Sequence, residues 1–107
     1  MNELLKLNEV CKLKDLVSYK DGELNKVLVA RTNGARFVLM AYDEDVELKE
    51  HAACGNAVLF ALEGNATIHF NGNEYQISEG ENFFFPQGEL HSIKANTKYK
   101  MALVVII

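Results

Sequence analysis

The chain has 107 residues, a formal net charge of −4 and 11 lysines and arginines scattered singly. That length supports one compact domain with a single core, and without a basic stripe there is no electrostatic footprint for nucleic acid. Two cysteines, Cys11 and Cys54, are too few for a disulfide framework, the opening "MNELLKLNEV" lacks the apolar run of a secretory signal, and the longest apolar run, "MALVVII" at 101–107, is far below the roughly 20 residues that span a bilayer. The expected setting is a reducing cytoplasm, with neither a membrane nor a nucleic acid as partner.

The first 26 residues give two readings. Leu4, Leu7, Val10, Leu13 and Val17 fall along one helix face, whereas Leu5, Leu16 and the alternation in "VCKLKDLV" suit a strand or a short turn. Either way the segment is expected to pack on or across the rest of the domain. From about residue 27 to 107 the chain is a series of short apolar, β-branched or aromatic segments closed by Gly, Asn or Asp: "VLVAR", "FVLMAY", "VEL", "AVLFAL", "ATIHF", "EYQI", "FFF" and "MALVVII". Regular short segments separated by turn residues predict an all-β sandwich or barrel. The sharpest turn signal is Asn71-Gly72, where both residues tolerate positive φ; it specifies a two-residue type I′ hairpin between Thr67–Phe70 and Glu74–Ile77. "TNGAR" at 32–36 predicts a second hairpin and Asp43 to Asp45 a third.

Period-two alternation assigns faces. In "ATIHFNG" His69 lies opposite Ile68 and Phe70, on the face expected to meet solvent. Phe83 and Phe85 share one face and Phe84 takes the other. "AVLFAL" and "MALVVII" are apolar on both faces, so both sides need cover. The outer cover is expected from the N-terminal segment or from a second copy of the chain, giving a homodimer with Phe60 and Val104 near its interface.

Two stretches carry a family signature. In "GENFFFPQGELHSIKA" (80–95), Gly80, Pro86, Gly88 and His91 stand at the spacing of the second motif of the cupin superfamily, with Ala95 in place of its terminal Asn. In "HAACGNAVLFALEG" (51–64), His51 and Gly64 match the first motif, while Asp45, Ala53 and Ala57 occupy its leading Gly, second His and Glu positions. The fifteen residues from 65 to 79 that separate the motifs resemble the spacing of compact single-domain members. The resemblance covers about residues 35–107 and implies a jelly-roll barrel (a double-stranded β-helix) in a single domain, 1–107, with the short irregular or helical segment ahead of it. It also implies that His51 and His91, on paired strands, point into the interior.

Each matching residue has a physical use. Pro86 fixes φ, lacks an N–H and so ends the "NFFF" strand. Gly88 lets the chain double back, and the turn then aims His91. A closed barrel can enclose one small ligand, and an apolar pocket bearing imidazoles, with Leu59, Phe83 and Phe85 as expected lining, suits a molecule with apolar and polar parts.

The metal is a separate question. Family members that carry one divalent transition metal (Zn, Fe, Mn, Ni or Cu) usually use three His and a Glu; this chain keeps His51 and His91 and has Ala53 and Ala57 at the other two positions. Cys54, three residues after His51, is the candidate third ligand, since a thiolate with two imidazoles suits Zn or Cu; the alternative is a small buried apolar residue. Two functions follow: a pocket that binds a small molecule, and a metal-dependent oxygenase, isomerase or lyase acting on a small polar metabolite. Hydrolysis through a Cys54–His91 pair ranks below both, because no orienting Asn or Asp and no oxyanion motif stands beside it.

Overall fold

The computed structural model describes residues 8–107. After a 3-10 turn at Leu13–Leu16 come nine strands: β1 Leu24–Arg31, β2 Ala35–Tyr42, β3 Glu47–Ala52, β4 Asn56–Glu63, β5 Asn65–Phe70, β6 Asn73–Ser78, β7 Asn82–Phe85, β8 Leu90–Ala95 and β9 Tyr99–Ile106. They form a five-stranded sheet in the order β1-β2-β9-β4-β7 and a four-stranded sheet in the order β3-β8-β5-β6. All pairings are antiparallel. The architecture is an all-β jelly-roll barrel, in which two sheets bury their apolar inner faces against each other.

The turns follow local chemistry. Asn71 and Gly72 take φ of 51° and 76° and join β5 to β6, with Phe70 opposite Asn73. The 32–34 turn joins β1 to β2 and is closed by the Thr32 N–H donating to the Ala35 carbonyl at 2.8 Å. Asp43 to Asp45 is a turn, with the Val46 N–H donating to the Asp43 carbonyl at 3.1 Å, but not a hairpin. It carries the chain from β2 in one sheet to β3 in the other. Turn residues report that the chain changes direction; whether the next strand pairs with the last depends on which face needs covering.

Leu4 and Leu7 of the candidate helical face lie outside the described residues. Of the remainder, Val10 is fully exposed, Leu13 begins the 3-10 turn and Val17 is buried. This segment covers part of the outer face of the five-stranded sheet, where Val17 packs with Val29, Leu39, Ala41 and Ala102. Polar contacts fasten it: the Tyr19 hydroxyl donates to Glu63, the Lys100 ammonium donates to the Lys14 carbonyl at 2.6 Å and lies 4.8 Å from the centre of the Tyr19 ring. The first strand of the barrel starts at Leu24, which itself packs on the inner core.

The inner faces of β2 and β9 form a ladder whose steps are Arg36↔Val105, Val38↔Leu103, Met40↔Met101 and Tyr42↔Tyr99. At the tyrosine end the interior is filled: Tyr42 and Tyr99 are completely buried, with ring centres 5.4 Å apart. The Arg36 end opens onto a cavity. Among the described residues no helix is long and apolar enough to cross a membrane.

Candidate functional site

The cavity has a volume of about 390 Å³. Val38 and Met40 of β2 and Leu103 and Val105 of β9 make its apolar wall, and Ala52, Ala53 and Ala57 contribute little side-chain volume. His51 and His91 lie on it, as do Lys26, Arg36 and Cys54. The two positions at which the family pattern would have a second His and a Glu, Ala53 and Ala57, therefore both face the cavity and leave room there.

Strand pairing brings the two imidazoles together. His51 on β3 is the register partner of His91 on β8, just past a bulge in β3, and their ring centres are 4.3 Å apart in an edge-on arrangement. The turn after β7 is tied to the segment it must face. The Gly88 N–H donates to the Ala53 carbonyl at 2.9 Å and the Gln87 N–H to Asn56 Oδ1 at 3.0 Å, while Gly88 has φ of +83°. Pro86, Gly88 and His91 thus act together: the turn sets where β8 starts and which way His91 faces.

Each imidazole sets its Nδ1 against a backbone carbonyl oxygen. His51 Nδ1 lies 3.0 Å from the Lys49 carbonyl oxygen and His91 Nδ1 lies 3.4 Å from that of Glu89. A carbonyl oxygen only accepts, so in the neutral rings the proton sits on Nδ1 and the Nε2 lone pair is left for something else. His91 is 4 % exposed and stacks on Phe85 with ring centres 4.0 Å apart. Burial, and then the neighbouring His51, hold its pKa below the ordinary imidazole value, the hydrogen bond to Glu89 acting the other way. His51 is exposed, so the pair has one anchored ring and one open to solvent.

Several expected site residues take other places. Leu59 and Phe85 are completely buried and Phe83 packs against the same core; none of the three lines the cavity. Alternation put them on the inward face correctly, but depth along the strand decides between wall and core. Phe85 still reaches the site, as the surface against which His91 stacks. Gly80, with φ of +87°, makes the turn before β7, and Gly64, with φ of +74°, sits where a Cβ would come within 2.0 Å of the Lys98 carbonyl oxygen; both are structural. His69 is half-exposed, with Nδ1 3.7 Å from Glu74 Oε1 on the neighbouring strand, away from the cavity.

His51, His91 and Cys54 do not form a set of metal ligands. Among the described residues no group of three His, Cys, Asp or Glu is placed to hold a metal ion. Cys54 is exposed rather than buried, and its Sγ accepts a hydrogen bond from Arg36 Nη2 at 2.7 Å. A guanidinium on the candidate third ligand puts a permanent positive charge where a dication would have to bind. The donor chemistry of this cavity is two imidazoles and two cationic side chains, and it does not fit a resident three-ligand metal.

Arg36 and Lys26 are the site residues that sequence reasoning missed. The signal is present in "ARFVLMAY": the inward alternation Arg36, Val38, Met40, Tyr42 begins on a charged residue.

The cupin domain model matches residues 36–107. Among solved structures, a cupin superfamily protein of Desulfitobacterium hafniense superposes with a TM-score of 0.94 at 17% identity, covering 100% of this chain and 98% of that one. A conserved Streptococcus pyogenes protein of unknown function gives 0.91 at 22% identity, with 98% and 92% covered. A predicted oxalate decarboxylase of Thermotoga maritima gives 0.72 at 25% identity, with 80% and 83% covered. No curated protein sequence gives a significant match.

Proposed function

The chain belongs to the cupin family, and from that premise we propose that it binds a small molecule directly in the cavity beside His51 and His91. The observation that carries this reading is the placement of both Nδ1 atoms against backbone carbonyl oxygens, which assigns the proton of each neutral ring to Nδ1. Each Nδ1 hydrogen is engaged by a backbone carbonyl, so each Nε2 is free to accept a hydrogen bond from a ligand, beside an apolar wall that would hold the ligand's body. Two exposed free thiols, Cys11 and Cys54, favour a reducing, cytoplasmic setting for this role. The test is a thermal-shift screen of polar metabolites on the native chain and on His51→Ala, which removes the solvent-exposed ring of the pair. A ligand at about 100 times its Kd adds roughly 2.7 kcal/mol of stability; hits that stabilise only the native chain support the reading. A screen with no hits, or hits unaffected by His51→Ala, would remove it.

The second reading, a metal-dependent enzyme, draws on the same free Nε2 pair and requires its remaining ligands from water or substrate. Stoichiometric Zn, Fe, Mn, Ni or Cu in protein purified without a His tag, lost in His91→Ala, would favour it over direct binding.

We propose further that the functional unit is a homodimer. On the outer face of the five-stranded sheet Phe37, Val104, Val58 and Phe84 form one register row across four strands, with Phe84 half-exposed and Phe60 exposed beside it. The N-terminal segment packs over the rows of Leu39 and Ala41, with Phe37 partly buried at the margin of that cluster, and an uncharged row of this kind is self-complementary to a two-fold copy. Sedimentation showing a clean monomer at micromolar concentration would overturn this.

A further inference from the structure

The cavity is positively charged in a protein whose net charge is −4. Among the described residues Lys26 and Arg36 lie on it, and no Asp or Glu does. Neither cation is in an ion pair among the described residues. Arg36 is half-buried, and its guanidinium offers five N–H donors of which Nη2 gives one to Cys54 Sγ. Its Nε is buried and has no partner among the described residues, a state that costs free energy unless something bonds it. Lys26, on the edge strand β1, is exposed and stands opposite Met40, so its ammonium is on the same inner face. Apart from these cations, Cys54 and the two imidazoles, the wall is apolar, made chiefly by Val38, Met40, Leu103 and Val105.

Resting on the reading that this cavity binds a small molecule, we propose that its ligand is a small organic anion, a carboxylate on an apolar body. Arg36 and Lys26 take the carboxylate, and the body lies along the β2–β9 ladder. A carboxylate is the complement of this arrangement for three reasons. It accepts from the planar guanidinium in two parallel hydrogen bonds. It supplies the negative charge that no residue of the wall supplies. And it gives the two cations, which line the same cavity four residues apart along the β1–β2 register, a common counter-ion that lowers their mutual repulsion. A cationic ligand meets only like charge here, and a neutral one leaves the Arg36 donors unmatched.

The probes are hexanoate and 1-hexanol, which share an apolar body and differ in charge. Each is titrated into the full chain and into Arg36→Gln and Lys26→Gln, with binding read from the NMR signals of the Val38, Leu103 and Val105 methyl groups. Expected are methyl shifts that saturate with hexanoate at least about tenfold more tightly than with hexanol. Arg36→Gln should weaken hexanoate by roughly 10- to 100-fold, the worth of a charge-assisted bond, and leave hexanol unchanged. Lys26→Gln, an exposed change that leaves the core untouched, should weaken hexanoate by a smaller factor. Equal binding of the two probes to the native chain, or hexanoate binding unmoved by both variants, overturns the anion assignment and leaves the small-molecule reading standing. Failure of both probes to move any of these methyl groups overturns the two together.

Discussion

Two of the barrel's aromatic pairs are made by register partners, and they do opposite things. Tyr42 and Tyr99 meet across β2 and β9, fully buried, and plug one end; His51 and His91 meet across β3 and β8 and sit at the open end. The same four-step ladder runs between the ends, so the strands do not account for the difference. Side-chain volume does. Around the tyrosines the space is taken up by Met40, Met101 and Ala61, whereas beside the histidines Ala52, Ala53 and Ala57 leave about 390 Å³ unfilled. The polar atoms follow the volume. Among the described residues the Tyr42 hydroxyl finds only the sulfurs of Met40 and Met101, at 3.6 and 3.8 Å, and the Tyr99 hydroxyl finds no partner. Burial raises the pKa of both phenols, so they stay neutral. At the other end each imidazole has one nitrogen satisfied and one spare. A pair buried for packing hides its polar atoms; a pair available to a ligand keeps one exposed ring and one free acceptor on each.

The largest effect should come from opening the plugged end. Tyr99→Ala removes a completely buried ring and should cost about 3–5 kcal/mol in urea unfolding. Tyr99→Phe keeps the ring and removes a hydroxyl that has no hydrogen-bond partner, so it should be neutral or stabilising by up to about 1 kcal/mol. A Tyr99→Phe loss comparable with that of Tyr99→Ala would mean the hydroxyl does have a partner, and the contrast between the two ends would fall.

A smaller effect on stability, with a large one on binding, is expected from filling the open end. Ala57 is 2 % exposed, stands opposite Phe85 and Val105, and faces the cavity. Extra methyl groups in a well-packed core cost about 1–3 kcal/mol, whereas Ala57→Leu grows into space already present and should change stability by less than about 1 kcal/mol. The same variant should abolish the stabilisation by any ligand found in the thermal-shift screen. A loss of more than about 3 kcal/mol would show that Ala57 is packed as tightly as the plugged end.

The sequence made different parts of this legible for different reasons. The Asn71-Gly72 hairpin was readable because a two-residue turn demanding positive φ has few alternatives. The joining of His51 and His91 was readable only through the resemblance, since partners forty positions apart are set by sheet topology and leave no local periodicity. Leu59, Phe83 and Phe85 were placed on the correct face at the wrong depth: alternation reports the face, and whether a face position meets a cavity depends on what the opposite sheet brings there. Cys54 is exposed rather than buried, and its bond to Arg36 of β2 was not legible because that neighbour comes from a distant part of the chain. Arg36 itself escaped notice because a lone charge at a strand end is usually solvated, and only the barrel's closure turns it inward.

The last contrast concerns protons. Within the site, His91 titrates below the ordinary imidazole value of 6.5, because burial and the neighbouring His51 disfavour its charged form. In the unfolded chain the same ring binds a proton more readily, so between those two pKa values the unfolded state carries more protons than the folded one. Stability from this group is therefore complete above pH 6.5 and is lost as the pH falls through 6.5 toward the depressed value. The tyrosines contribute nothing in this range, since both are neutral in either state. Urea midpoints measured from pH 7.5 down to 5.5 should decline in the native chain and decline less in His91→Asn, which cannot take up the proton. If the two slopes are equal, the acid sensitivity arises elsewhere and His91 is not held in its neutral form by the barrel.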